Sequence, residues 1–428
     1  MGVPRNDPIF PNEILALVFE WGSFSPTGPP FEILISQVSQ HWRAVALATP
    51  KLWRSVRFTL GRISKMRASS YLKRSASYPL HVTCVFRPRT REETPTSEAD
   101  FLVSISQLLA NVHRLQRLRV VCQDGTQMVK LISEARDLCA PILEVLDITV
   151  LEGGCPPHNS GTRIFKNGSP KLHVVRVAEF PLSKLVFPLQ RITHLEICTL
   201  SDCNRRISYA FFIAMLKDLH SLQLLALSNP VFPNVGWPAL SDKPSVILRH
   251  LKTLSLKDSE TTLRRYLLAI DAPILQELIL HDLCHADLEA PFVRANYPSI
   301  QSITLDNPSL SLESLDYLHQ FFPIAKHLCI LQADPETLSS LLVQDGHDDL
   351  KSSAWTHLQT ITLAPAPESM TSLLRLATGR KLVGHALETI ILPLPDQLDN
   401  IEDLREHVNV VPFLDLTHEP YRIRALEI

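Results

Sequence analysis

A six-residue pattern, apolar-x-x-apolar-x-apolar, recurs along most of this chain and restricts it to few folds. It reads "LQRLRV" from Leu115, "LEVLDI" from Leu143, "LHVVRV" from Leu172, "ITHLEI" from Ile192, "LQLLAL" from Leu222, "LKTLSL" from Leu251 and "LQELIL" from Leu275. It returns as "IQSITL" from Ile300, "AKHLCI" from Ala325, "LQTITL" from Leu358, "LETIIL" from Leu387 and "IRALEI" from Ile423. From first to last is 308 residues in 11 steps, 28 residues per step. One such match carries no information, but twelve in near-regular order define a repeat array.

The alternation inside each match has the period of a strand. Between the matches lie segments with helical spacing: "MVKLISEARDLC", "YAFFIAMLKDL", "TTLRRYLLAI", "LESLDYLHQFF", "PETLSSLLVQD" and "MTSLLRLATG". Asp334-Pro335 offers an N-cap and a first-turn proline to one of them. Strand and helix alternating at this step make each strand parallel to the next, with right-handed crossovers. A lone unit cannot bury its apolar face, whereas stacked units can. The fold class expected is therefore α/β, a solenoid with a curved parallel sheet on its concave side.

This array resembles leucine-rich repeats over roughly residues 113–428. It departs from them in lacking the Asn or Cys that closes each turn. The corresponding places hold Gln123, Phe180, Pro230, Ser259 and Pro308. The turns must satisfy their backbone groups differently, and the solenoid is expected to be irregular, with long loops around 151–170 and 229–246.

The stretch before the array has another character. In "DPIFPNEILALVFEW", Pro11 opens a helix whose Ile14, Leu17, Val18 and Trp21 make one apolar face, while Leu15 and Phe19 make a second. After the proline-rich "SFSPTGPPF", a helix carries Phe31, Leu34, Ile35, Val38, Trp42 and Val45 on one side. Thr49-Pro50 ends it and caps a short third helix with Leu52 and Trp53. So small a piece barely sustains a core of its own. Surplus apolar faces leave two roles open: a cap on the end of the solenoid, or a surface for another protein.

The segment "FPNEILALVFEW … ILISQVSQHWRAVALATPKLWRSV" resembles an F-box. The carrying features are Phe10-Pro11 followed by Glu-Ile-Leu, the spaced Val38, Trp42 and Arg43, and the Leu52-Trp53 pair. It departs in having Phe10 where leucine is usual and in its longer first linker. The resemblance implies a substrate receptor of a cullin–RING ubiquitin ligase. The F-box would bind a Skp-type adaptor, and through it a cullin, and the repeats would hold an unknown target protein. Carried over by position, the adaptor face would use Phe10, Pro11, Ile14, Leu15, Val18, Val38, Trp42, Leu52 and Trp53, some of which must instead face the small core. The domains expected are an F-box at 1–58, a bridge at 59–112 and the solenoid at 113–428. The alternative is a non-catalytic interaction scaffold whose helical N-terminus only caps the solenoid.

In the bridge, "SVRFTL" and "PLHVTCVF" read as strands, and "RISKMRASSYLKRSAS" as a basic helix with a solvated face or an anion-binding patch. "RPRTREETPTSEA" reads as a loop, and a helix starts at Asp100. The variable fifth position of the repeats reads Arg119, Asp147, Arg176, Glu196, then Ala226, Ser255, Ile279, Thr304, Cys329, Thr362 and Ile391. The charged part fits a cross-strand ion-pair ladder. The uncharged part, from Ala226 to Ile391, is the expected target-binding strip.

With 45% apolar residues the chain is built for large cores, and a net charge of -2 points to neither nucleic acid nor an anionic membrane as partner. No apolar run reaches the ~18 residues of a membrane span. "MGVPRN" has no signal-type apolar region. The 8 cysteines include no C-x-x-C pair and read as reduced thiols of a cytoplasmic or nuclear protein. No catalytic or nucleotide-binding motif occurs, so no catalytic residue and no cofactor are expected. "HDLCHADLE" gathers His281, Asp282, Cys284, His285, Asp287 and Glu289 at a spacing that matches no standard metal site, so no metal is expected.

Overall fold

In a computed structural model, the chain is mixed α/β and divides into two compact units, residues 1–188 and 189–428. The structure describes residues 10–22, 30–59, 62–87, 98–151, 162–180, 185–186, 191–199, 207–229, 245–257, 263–284, 297–308, 318, 321–332, 355–364, 370–393, 398 and 401–413.

The first unit begins with helices α1 (Asn12–Gly22), α2 (Phe31–Val38) and α3 (Gln40–Leu47) and a 3₁₀ turn, Pro50–Trp53. Then come β1 (Ser55–Thr59), α4 (Arg62–Arg74), β2 (Leu80–Phe86), α5 (Glu98–Leu109), β3 (Leu115–Cys122), α6 (Gly125–Ala135) and β4 (Val145–Val150). Short β5 (Thr162–Arg163), β6 (Val174–Ala178) and short β7 (Leu185–Val186) follow. Strands β1, β2, β3, β4 and β6 lie side by side in that order, all parallel. Their inward residues, such as Val82, Cys84 and Phe86 on β2, alternate with half-buried His81, Thr83 and Val85. Inward Phe86 meets Phe101 of α5 edge-on at 4.9 Å.

The second unit holds β8 (His194–Cys198), α7 (Tyr209–Asp218), β9 (Leu224–Ser228), β10 (Val246–Ile247), β11 (Thr253–Lys257), α8 (Leu263–Ala269) and β12 (Ile270–Asp271). It continues with β13 (Glu277–His281), β14 (Ser302–Asp306), β15 (His327–Leu331), β16 (Thr360–Ala364), α9 (Met370–Leu382), β17 (Thr389–Leu392), α10 (Ile401–Arg405) and β18 (Asn409–Pro412). Strands β8, β9, β11, β13, β14, β15, β16, β17 and β18 neighbour one another in that order, again parallel.

Every repeat match from Leu115 to Leu387 supplies a strand, and the parallel pairing follows the expected order. The last match, at Ile423, lies outside the described residues, as do "PETLSSLLVQD" with Asp334-Pro335 and most of "LESLDYLHQFF". Strand β18 was not anticipated, since "NVVP" has no apolar triad. The single helix expected across Phe31–Val45 is broken. Ser39 is extended, at φ -155°, and its hydroxyl accepts from the Trp42 amide at 3.1 Å, starting α3 afresh.

Two turn devices explain how the array closes without the usual asparagine. Ahead of the strands, a proline sits second in a tight turn, as at Pro141, Pro170, Pro273 and Pro323. The turn closes by Leu143 N to Ala140 O at 3.3 Å, Leu172 N to Ser169 O at 3.1 Å, Leu275 N to Ala272 O at 3.1 Å and Ala325 N to Phe322 O at 3.2 Å. Just past the strands, one residue enters the left-handed region: Glu179, Asn229, Asp282, Asn307 and Gln332, with φ between 45° and 57°. That twist aims its amide at the last carbonyl of the next strand, Asn229 N to Lys257 O at 2.9 Å, Asp282 N to Asp306 O at 2.9 Å and Asn307 N to Leu331 O at 2.8 Å.

Asn and Asp tolerate this conformation, whereas β-branched residues do not. Asn307→Val is expected to lower stability by about 1–2 kcal/mol and Asn307→Gly by less, read as the shift in denaturant midpoint. Equal losses would show that the backbone conformation is not what Asn307 supplies.

Candidate functional site

On α1, the sequence face Ile14, Leu17, Val18 and Trp21 remains in water, Trp21 at 79% exposure, while Leu15 and Phe19 are buried. This spacing, i, i+3, i+4, i+7, is one stripe of a helix. On α2, Ile35 is buried while Leu34 and Val38 are exposed, Val38 at 61%. Phe10, Pro11 and Leu47 are exposed too. Eight large apolar side chains between residues 10 and 47 therefore stay uncovered by the chain's own described atoms. Isolated apolar residues on a surface are ordinary, whereas a concentration of this kind is not.

Behind the exposed faces the helices are held firmly. Phe19 packs on half-buried Trp42, ring centroids 5.0 Å apart. Trp53 is buried, donates its indole N–H to Ala46 O at 2.9 Å, meets Tyr71 of α4 edge-on and lies under the Arg74 guanidinium at 4.4 Å. The Tyr71 hydroxyl donates to Glu32 of α2 at 2.5 Å. Burial, then that bond, raises the Tyr71 pKa to about 12, so it remains a donor. Lys51 pairs with Glu20 at 2.6 Å. The basic helix α4 is thus partly structural: Lys65 pairs with Asp100 and Arg67 lies over the Tyr71 ring.

These positions correct the expected adaptor face. Leu15, Leu52 and Trp53 point into the core and offer no surface, because the small helical piece needs them to join α1, α3 and α4. Phe10, Pro11, Ile14, Val18 and Val38 are open and Trp42 is half-open. Leu17 and Trp21 belong with them and were missed as site residues. The signal was present, since both share the face of Ile14 at helical spacing.

The expected target strip is one row of the sheet: Ala226, Ser255, Ile279, Thr304, Cys329, Thr362 and Ile391 are successive register partners. It is not uniformly accessible, which corrects the expectation. Ala226, Ser255, Ile279 and Thr362 are buried, whereas Thr304, Cys329 and Ile391 are half-open. In the charged part, Arg119 reaches Asp147 at 3.5 Å, one rung of the expected ladder.

Ser255, His281 and Asp306 form a hydrogen-bonded series across three strands, Ser255 Oγ to His281 Nε2 at 3.2 Å and His281 Nδ1 to Asp306 Oδ2 at 2.9 Å. That order resembles a nucleophile, base and orienting acid. Ser255 is only 1% exposed, so its hydroxyl meets no substrate in this arrangement, and the series acts as a clamp between strands. Beside it, Lys257 pairs with Asp282 at 2.9 Å, and Asn307 donates to Asp282 at 2.7 Å. Partial burial pushes the Asp282 carboxyl up, but these two donors outweigh it and hold it below its usual range. His285, Asp287 and Glu289 lie outside the described residues, and among the described residues no three His, Cys, Asp or Glu side chains converge as a metal site. No helix of the described residues is long and apolar enough to cross a membrane. No protein-family model matches the chain, and no curated protein matches it.

Truncating a buried aromatic that serves three elements costs about 3–5 kcal/mol. Trp53→Ala is expected to lower the thermal midpoint markedly, whereas Trp21→Ala, on the exposed stripe, should leave it unchanged. A similar loss from both would mean that Trp21 is covered in solution by the chain itself.

Proposed function

We propose that this protein is a substrate receptor of an SCF-type cullin–RING ubiquitin ligase, an F-box joined to an irregular leucine-rich-repeat-like solenoid, working in the cytoplasm or nucleus. The observation that carries the reading is the uncovered apolar surface of α1 and α2, with Phe10, Pro11, Ile14, Val18 and Val38 in water and Trp21 the most open of all. An interface buries such groups at about 1.5–3 kcal/mol per fully enclosed side chain, and an aromatic anchor dominates it. The exposed residues are those the F-box resemblance assigns to a Skp-type adaptor, extended by Leu17 and Trp21. The rigid backing of Trp53, Tyr71 and Glu32 presents them with little ordering cost. The repeat sheet then holds the target, on the half-open Thr304, Cys329 and Ile391 rather than on the buried part of that row.

A second reading, a scaffold whose helices only cap the repeats, draws on the Trp53–Tyr71 and Glu32–Tyr71 contacts that fasten the helices to α4. It gives the open stripe no role.

Co-purification decides between them. A Skp-type adaptor is expected to form a stable complex with the full chain, and the exposed-site pair Ile14→Asp and Val38→Asp is expected to abolish it without lowering the thermal midpoint. An intact chain that never retains the adaptor, or a double variant that retains it fully, would leave the capping scaffold as the better account.

A further inference from the structure

The first unit gathers positive charge on the open side of its sheet. Strand register sets Arg57, Thr83, Arg119, Asp147 and Arg176 side by side across β1, β2, β3, β4 and β6. The row before it reads Ser55, His81, Arg117 and Val145. Alternation turns both rows away from the buried Val82, Leu118 and Leu146. Arg57 and Arg117 are exposed and make no ion pair among the described residues. Of the nearby carboxylates, Asp147 lies 3.5 Å from Arg119, and Glu144 accepts from the Gln116 amide at 3.1 Å.

The excess is felt at His81. Burial first, then Arg54 at the entry to β1, and more weakly Arg117, hold its imidazole below the ordinary value against the Gln116 bond and Glu144. The chain as a whole is at -2, so this is a local asymmetry and not a general attraction for polyanions.

Spacing says what such a face fits. Arg117 and Arg119 are two residues apart on one strand, about 6.6 Å, and Arg57 and Arg119 are two strands apart, about 9.5 Å. The three arginines start from separate backbone stations on two strands. An extended peptide lying along β3 carries same-side side chains at about 6.6–6.8 Å, so carboxylates on alternate residues meet Arg117 and Arg119 in turn, and Arg57, two strands to the side, flanks that line. We propose that the open sheet face built by Arg57, Arg117 and Arg119 around Thr83 binds an extended acidic peptide segment with carboxylates at alternate positions. This goes beyond the adaptor reading and does not rest on it, because the face lies on the sheet and the test contains no adaptor.

The experiment is fluorescence anisotropy of the full chain with a labelled peptide of alternating glutamate and alanine. Its glutamine counterpart, a phosphoserine peptide of equal charge and a single-stranded oligonucleotide are run beside it. The glutamate peptide is expected to bind, to weaken as salt rises, and to lose ~10-fold or more in affinity in the double variant Arg57→Glu and Arg117→Glu. The thermal midpoint should not move, since both residues are exposed. Equal binding of the glutamine peptide, or an unchanged affinity in the double variant, would overturn the proposal. Tighter binding of the phosphoserine peptide would replace it with a phosphate site, and tighter binding of the oligonucleotide with a nucleic-acid site.

Discussion

Ahead of most repeat strands, the amides of the strand's first residue and of the one before it share a single carbonyl at the entry to the preceding strand. Gln276 and Glu277 donate to Lys252 O at 2.9 and 3.0 Å, Gln301 and Ser302 to Gln276 O, and Lys326 and His327 to Gln301 O. This shared acceptor fixes where a strand begins relative to its neighbour. Because side chains alternate, a one-residue slip in a strand such as β14 would turn its buried Ile303 and Leu305 to the more open face. The left-handed residue after the strand fixes the other end in the same way, by donating to the next strand's last carbonyl. Pinned at both ends, the strands bring equivalent sequence positions into straight rows. The features of the sheet faces are a consequence of those rows, including the Arg119–Asp147 rung and the Ser255–His281–Asp306 clamp.

The N-terminal helices depend on a different solution. They are too few to enclose their own apolar residues, so one side of each is completed by the element that follows. Trp53 is the joint: its ring fills the space between α3 and α4, its N–H satisfies Ala46 O, and Arg74 lies over its face. Glu32 and Tyr71 add a polar bond between α2 and α4. One side of α1 and α2 is used in this way, through Leu15, Phe19 and Ile35, and the other is not. The packed side and the open side are therefore opposite faces of the same helices, and the contacts that fasten the first do not consume the second.

Much of this was legible in the residues. The period of the apolar triads gave the strands, their order and their parallel sense, because a helix between neighbours leaves no other pairing. The two faces of α1 separated at the residues where the structure separates them, Ile14, Leu17, Val18 and Trp21 against Leu15 and Phe19. Other features were beyond a pattern of periods. The break at Ser39 rests on one side-chain hydroxyl competing for a backbone amide, and an apolar stripe running through it conceals the break. The left-handed residues were hidden because Glu179 and Gln332 do not announce that conformation, while Asn229 and Asn307 sit one place before the position where asparagine was sought. Leu52 and Trp53 were assigned outward by resemblance, and only packing against α4 reveals that they face in.

Burial along the predicted target row also needed three dimensions. Strands β9 and β11 are buried on both faces, and on β13 Ile279 and His281 are buried as well, whereas β14 and β15 alternate and keep one side open. A parallel sheet covered on both sides reads as a continuous apolar run. "LLALS" in β9 fits that description, and "TLSLK" in β11 does not. The hydroxyl of Ser255 lies in a closed region, and its hydrogen bond with His281 Nε2, the ring itself oriented by Asp306, makes it tolerable there, since an unpaired buried hydroxyl costs about 1–3 kcal/mol. The same three side chains that resemble a catalytic series are therefore explained by the burial of the strand they serve, and the row opens to half-burial only further along, at Thr304 and Cys329.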